Sequence, residues 1–281
     1  MLDLFDLFFR WWKQIFLLVI IAVIATAIIV FFIPKKYLGV TTALPAPAYA
    51  ADKAGVFSQN IQELYSALGS PDDLDKVLGT AHLDTVYKAV AGQLNLAEHY
   101  NIKRDNVSLQ KAARLLKRST RVIKTDYGEL QVKVWDVDRD LAADMSNAIM
   151  EKLQQIHQDV QTANNTLMFS KINDEYAEKK AGYQKLLDSL QHTNSGAVTD
   201  LLNVQKTSVL QQMQEYEKLL SQYKLMVDAR PQTLIIVERA FPALKGDEPK
   251  TLQTIIAAAV LSFFFAWLSA LVLEKRRMMR K

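Results

Sequence analysis

Ile15-Phe16-Leu17-Leu18-Val19-Ile20-Ile21-Ala22-Val23-Ile24-Ala25-Thr26-Ala27-Ile28-Ile29-Val30-Phe31-Phe32-Ile33 runs for 19 residues without a charge. A second uncharged run of 19 residues extends from Ile255 to Leu273. A bilayer core about 30 Å thick needs roughly 20 apolar residues in helical form, so each run is long enough to cross. Of the 281 residues, 221 lie between the two runs. The plan is a pair of terminal spans with nearly everything else held between them.

Charge near the spans sets the orientation. The stretch Glu274-Lys275-Arg276-Arg277-Met278-Met279-Arg280-Lys281 has five basic residues and one acid, and Arg10 and Lys13 precede the first span. Basic flanks stay in the cytoplasm, whereas long loops cross largely regardless of charge. Both tails are therefore expected inside and residues 34–254 outside. Lys35, Lys36 and Lys250 border the long segment and run against this tendency. Trp11, Trp12 and Trp267 fit an aromatic belt at the inner interface. A signal peptide is the rival for the first span, with Ala48-Tyr49-Ala50 as its cleavage site. A signal core is about 7–15 residues with the cut close behind. Here the core is longer and the cut would fall 17 residues beyond Ile33, so cleavage is not expected.

The net charge of +4 belongs to the tails, which hold seven basic and three acidic residues. The rest of the chain carries 27 of each sign. A neutral loop has no field to attract nucleic acid, and the basic tail suits anionic lipid. With no cysteine, a disulfide framework, thiolate catalysis and Cys-ligated zinc are excluded.

Between the spans, Tyr37–Leu44 has the β-branched and aromatic content of a strand, stopped by Pro45 and Pro47. A short helix is expected over Gln59–Leu68, ending at the breaker cluster Gly69-Ser70-Pro71. Thr85–Glu98 reads as one helix with Val86, Val90, Leu94 and Ala97 on its apolar face, and Ser108–Arg118 as another. Thr120–Lys124 and Leu130–Trp135 read as strands joined by a turn at Asp126-Tyr127-Gly128. The second alternates apolar and polar residues as a half-buried strand does.

From Asp138 to about Gln191 there is no proline and only one glycine, Gly182. Leu141, Met145, Ala148, Ile156, Val160, Ala163 and Leu167 predict a narrow apolar stripe on a long helix, with Asp138 as its N-cap. His192-Thr193-Asn194-Ser195-Gly196 breaks it. A second helix, about Val198–Asp228, carries Leu202, Val209, Met213, Tyr216, Leu220, Tyr223 and Val227 at spacings suited to antiparallel pairing. Thr233–Ala240 is a last strand, able to share a sheet with the first.

The search for chemistry is negative. There is no phosphate-binding glycine loop, nucleophile elbow or His-Glu-x-x-His pair, and His82, His99, His157 and His192 stand far apart. Asp136-Val137-Asp138-Arg139-Asp140 imitates the opening of a calcium loop. Leu141 and Asn147 occupy the positions that need glycine and glutamate, so a strand end and helix cap explain these acids better. Asn106-Val107-Ser108 and Asn164-Asn165-Thr166 match the glycosylation sequon; capping explains the first more simply. Ala258, Ser262, Ala266 and Ala270 repeat at i+4 in the second span, a small-residue ridge that permits close helix packing. No catalytic residue, metal or cofactor is expected.

These pieces together give an α+β membrane protein with two terminal transmembrane helices, a membrane-proximal α/β base domain and a long extended helical hairpin. The expected division is a tail over 1–14, a span over 15–33, the first part of the base over 34–137 and the hairpin over 138–230. A return strand and proline-containing segment follow over 231–250, then a span over 251–273 and a basic tail over 274–281.

The chain resembles the Wzz-type chain length determinants, the polysaccharide co-polymerases of bacterial inner membranes. The resemblance covers nearly its whole length and is most specific at Val237-Glu238-Arg239-Ala240-Phe241-Pro242 and Pro249-Lys250. The strand-to-helix passage Val132–Leu153 is also similar. The family's pre-membrane segment carries more prolines than this one, and the glycines of its second span are here alanine and serine. Only Pro242, Pro249 and Lys250 are therefore carried over as a functional segment. The resemblance implies a periplasmic homo-oligomer that works with a Wzy-type polymerase on a lipid-linked glycan and sets its modal length without being an enzyme. Related co-polymerases carry a tyrosine kinase after the second span. Eight residues follow Leu273 here, so a fused kinase is not expected; the alternative is an adaptor that activates a separate one. A periplasmic efflux adaptor fits poorly because of the second span, and a hydrolase because no nucleophile and base come together.

Overall fold

The computed structural model describes residues 4–46, 71–192 and 196–279. The helix expected over Gln59–Leu68, the Ala48-Tyr49-Ala50 stretch and Thr193-Asn194-Ser195 lie outside the described residues. In chain order the elements are α1 (Leu4–Phe32), β1 (Tyr37–Pro45), α2 (Pro71–Ala81), α3 (Asp84–Gln93), α4 (Leu96–His99) and α5 (Ser108–Arg118). Then come β2 (Thr120–Lys124), β3 (Leu130–Asp136), α6 (Arg139–Gln191), α7 (Gly196–Ala229), β4 (Leu234–Glu238) and α8 (Thr251–Met279). The strands form a four-stranded sheet in the order β2-β3-β1-β4. The first and last strands of the chain thus lie side by side. They pair antiparallel, with Thr42 opposite Glu238 and Pro45 opposite Leu234.

By contacts the chain divides into two units. One comprises 1–40, 133–146 and 240–281. Its helices α1 and α8 contain the segments Trp11–Phe32 and Thr251–Leu273, both long and apolar enough to cross a membrane. Most of their apolar side chains are uncovered, among them Leu17, Ile21, Leu261 and Phe264. Uncovered surface of that extent is untenable in water and ordinary in lipid. Thr26 and Ser269 hydroxyls donate to the carbonyls of Ala22 and Phe265, each at 2.8 Å, so neither brings an unmet donor into the apolar segment. Both helices continue past the uncharged runs into the stretches read as tails.

In the same unit β1 passes against the start of α6 at backbone distance. A Cβ built on Gly39 would lie 2.3 Å from the Ala142 carbonyl oxygen and 2.9 Å from the Ala143 Cα. The start of α6 is fixed as the sequence leads one to expect. Asp136 Oδ1 accepts from the Asp138 N–H at 2.9 Å, and Asp138 Oδ1 accepts from the amides of Asp140 and Leu141 at 2.9 and 3.2 Å. These acids are a strand end and an N-cap.

The other unit comprises 41–132 and 147–239. Its core gathers Leu74 from α2, Val86 and Val90 from α3, Leu96 from α4 and Leu116 from α5, each at most 1% exposed. Each such burial contributes about 1.5–3 kcal/mol. The Tyr87 hydroxyl donates to the Ala81 carbonyl at 2.8 Å, and burial pushes its phenol up to about 12. Lys117 ties the same corner, reaching the His82 carbonyl and Asp84 at 2.6 Å each. That lysine holds the Asp84 carboxyl below its ordinary value.

The expected single helix Thr85–Glu98 is broken. Asn95 takes a left-handed conformation (φ 50°), which separates α3 from α4. The turn changes the phase, so Leu96 is buried in place of Ala97. Asparagine tolerates this conformation better than most side chains, and helical periodicity carries no sign of it. Pro71 likewise opens α2 where a breaker was expected, because the first helical position needs no N–H donor.

The hairpin helices lie antiparallel. Gln158 Nε2 donates to the Arg230 carbonyl, and the Tyr176 hydroxyl donates to Glu217 Oε1. On α7 the expected stripe is the half-covered face. On α6 it holds only as far as Ile156: Val160, Ala163 and Leu167 are exposed, while Gln161, Thr162, Asn165, Phe169, Ile172 and Tyr176 are half-buried. The helix covers a polar face here, so following the apolar residues leads to the opposite side. Gln222 and Met226 of α7 are buried in the stretch bracketed by these two hydrogen bonds.

Replacing Gly39 by alanine should destabilise the protein by about 3 kcal/mol through overpacking against backbone. Gly79→Ala, whose Cβ meets nothing within 4 Å, should stabilise α2 by about 0.5–1 kcal/mol. Thermal unfolding of the detergent-solubilised variants checks both.

Candidate functional site

The segment 240–250 returns the chain from β4 to α8. It is irregular, so its position depends on what it touches. Within its unit, the Lys36 N–H donates to the Glu248 carbonyl at 2.9 Å. The Lys36 carbonyl accepts from the amides of Asp247 and Glu248 at 2.8 and 3.3 Å. The Lys36–Glu248 ion pair at 3.9 Å adds little, since both side chains are about half exposed. The firmer side-chain anchor is Trp135 at the end of β3, whose Nε1–H donates to Asp247 Oδ2 at 2.7 Å. A carboxylate acceptor strengthens such a bond. In the other unit, Arg239 reaches Glu151 at 2.8 Å at the end of β4.

The three residues of the expected functional segment occupy different places. Pro242 is exposed. Pro249 lines a groove of about 710 Å³ together with Val30, Phe31 and Ile33 from the end of α1 and Leu244 and Gly246 from the return segment. Lys250 stands just before α8, where its carbonyl accepts from the Thr254 amide at 3.0 Å. Pro249 and Lys250 adjoin in the chain, and of the three only Pro249 lines the groove. Sequence reasoning missed Asp247 and Trp135, which do the fixing. A tryptophan ending an alternating strand and an acid in a proline-bounded segment were the available signals.

The ridge residues of the second span share one face. Ala266 and Ala270 are 4% and 3% exposed and pack with Ile15 of α1, flanked by Trp11, Leu18, Trp267 and Leu271. Ala258 and Ser262 are half-buried. The Ser262 hydroxyl donates to the Ala259 carbonyl of its own helix at 3.0 Å, so contact here is van der Waals packing rather than hydrogen bonding across the seam. Trp11 and Trp267 therefore pack in the seam, while Trp12 alone of the three faces outward. On the hairpin, Leu202, Val209, Met213, Tyr216, Leu220 and Tyr223 are all half-buried. Among the described residues no three of His, Cys, Asp and Glu cluster to hold a metal ion.

No protein-family model matches this chain, and no curated protein does. Among solved structures it is similar to a full-length bacterial polysaccharide co-polymerase. That pairing has a TM-score of 0.43 and 13% identity, and covers 99% of this chain and 98% of that one. It is also similar to a fragment of WzzB, a polysaccharide co-polymerase from Salmonella Typhimurium. There the TM-score is 0.31 and the identity 12%, over 76% of this chain and 100% of that one.

Trp135→Phe removes the donor to Asp247 and should cost about 1 kcal/mol. It should also speed hydrogen exchange at the Asp247 and Glu248 amides, measured by mass spectrometry. Because the chain has no cysteine of its own, a cysteine pair placed at Ile15 and Ala266 should cross-link in native membranes. Ala270→Leu should lower the yield severalfold by forcing the helices apart.

Proposed function

We propose that this chain is an oligomeric, non-enzymatic regulator that sets the modal length of a lipid-linked surface polysaccharide of O-antigen type. It acts beside a Wzy-type polymerase in a bacterial inner membrane, with residues 34–254 on the periplasmic side. The observation that carries the reading is the plan of the chain. Two helices with uncovered apolar faces enclose a sheet-and-helix base and a long hairpin, and that hairpin shows apolar side chains its own partner helix does not cover. Val160, Leu167 and Met168 on α6 and Leu201, Val204 and Leu210 on α7 are exposed. Further copies of the chain would cover such faces, as neighbouring helices do in coiled coils. The segments Val237–Pro242 and Pro249-Lys250, which carry the resemblance to Wzz-type determinants, support the same reading. A scaffold of this kind acts by holding polymerase and growing glycan together for a set time, and it needs no catalytic constellation.

The test is a gel of surface polysaccharide from cells with and without the gene. A modal cluster of lengths should require the gene, and its loss should leave a stochastic ladder. An unchanged distribution in the deletion strain would overturn the reading.

A further inference from the structure

One of the lysines that oppose the expected orientation, Lys35, lines the groove at the end of α1. Positive charges are disfavoured beside spans on the far side of the membrane, yet Lys35, Lys36, Lys245 and Lys250 all stand where the long segment leaves and re-enters the spans. Lys36 is matched by Glu248. Lys35 and Lys245 have no ion pair or hydrogen bond among the described residues, and both line the same groove of about 710 Å³. The rest of its wall is mixed: Tyr37, Glu248 and Thr251 stand beside the apolar side chains of Val30, Phe31, Ile33 and Leu244, with Phe31 86% exposed and Leu244 93% exposed. The apolar segment of α1 ends at Phe32 and that of α8 begins at Thr251, so a groove formed by the residues just there sits at the level of lipid headgroups. Gly246 keeps Lys35 against the return segment: an added Cβ would meet the Lys35 Cβ at 3.1 Å and its Cδ at 3.5 Å.

We propose that this groove binds one anionic phospholipid, its phosphate held by Lys35 and Lys245 and an acyl chain lying along Phe31, Ile33 and Leu244. The chemistry fits on both counts. An ammonium is a strong donor to a phosphate oxygen, and exposed phenylalanine and leucine at this depth need an apolar neighbour that the chain itself does not provide. Glu248 also lines the groove, with the Lys36 ammonium 3.9 Å from its carboxylate partly offsetting its charge. The proposal rests on the reading that α1 and α8 span a bilayer.

The test uses the full chain in nanodiscs of mixed phosphatidylglycerol and phosphatidylcholine, with bound lipid identified by native mass spectrometry. Phosphatidylglycerol should be enriched on the wild type. The enrichment should fall roughly fivefold for each lysine neutralised in Lys35→Gln and Lys245→Gln. Lys250→Gln, a nearby lysine outside the groove, should leave it unchanged. An equal loss with Lys250→Gln, or no loss with the double variant, would overturn the proposal. On the wild type itself, a photoactivatable phosphatidylglycerol should label residues 30–37 and 244–251, and labelling confined elsewhere overturns it. Displacement of the lipid by inorganic phosphate would point to a free-anion site and overturn it as well. A chain that does not enter nanodiscs overturns the membrane reading and the groove together; entry without lipid preference overturns the groove alone.

Discussion

The two ends of this chain meet, and the rest of the structure depends on that meeting. It is made in three places by different means. The apolar helices pack through alanine at Ala266 and Ala270. The residues just beyond them join by backbone bonds between Lys36 and Glu248. The first and last strands pair from Thr42 to Pro45. Each contact links residues roughly 190 to 255 positions apart, so each carries a large loop-closure cost. Once one is made, the others become local, which is why three modest interactions suffice.

Most of the architecture was legible in the sequence because it depends on repetition. Uninterrupted apolar runs, an alternating strand and a long stretch without helix breakers are statistical features, and they survive individual exceptions. What was not legible depends on single residues. Asn95 in a left-handed conformation splits one expected helix in two. Pro71 opens α2, a helix that the reading of the sequence did not include. Between Ile156 and Leu167 the covered face of α6 carries Gln161, Thr162 and Asn165 rather than the aliphatic side chains. In each case a local conformation or the covering of a polar side chain departs from periodicity, and periodicity has no means of registering it.

The candidate site was legible in the same partial way. The segment was read between the last strand and the second span, and the side-chain bond that holds it, from Trp135 to Asp247, was not part of that reading. An acid and a tryptophan 112 positions apart share no sequence pattern; only the fold brings them together. Gly39 is a similar case. Its glycine had a sequence-level meaning, since glycine within a strand often marks close approach of backbone, but nothing in the sequence says what approaches. Lys35 was singled out in the sequence as a charge that runs against the expected orientation, whereas Lys245 was not, and the two line one groove.

The polar stretch of the hairpin has a further consequence. Leucine against leucine tolerates a slip by one turn, since the new neighbours are as apolar as the old. Gln161 Oε1 and Asn165 Nδ2 are buried in this stretch without a hydrogen-bond partner among the described residues, a cost that an aliphatic side chain in the same place would not carry. A polar residue within an otherwise apolar seam selects one alignment at some cost in adhesion. The hairpin thus gives up adhesion along this stretch, where a pair of leucines would have gained it.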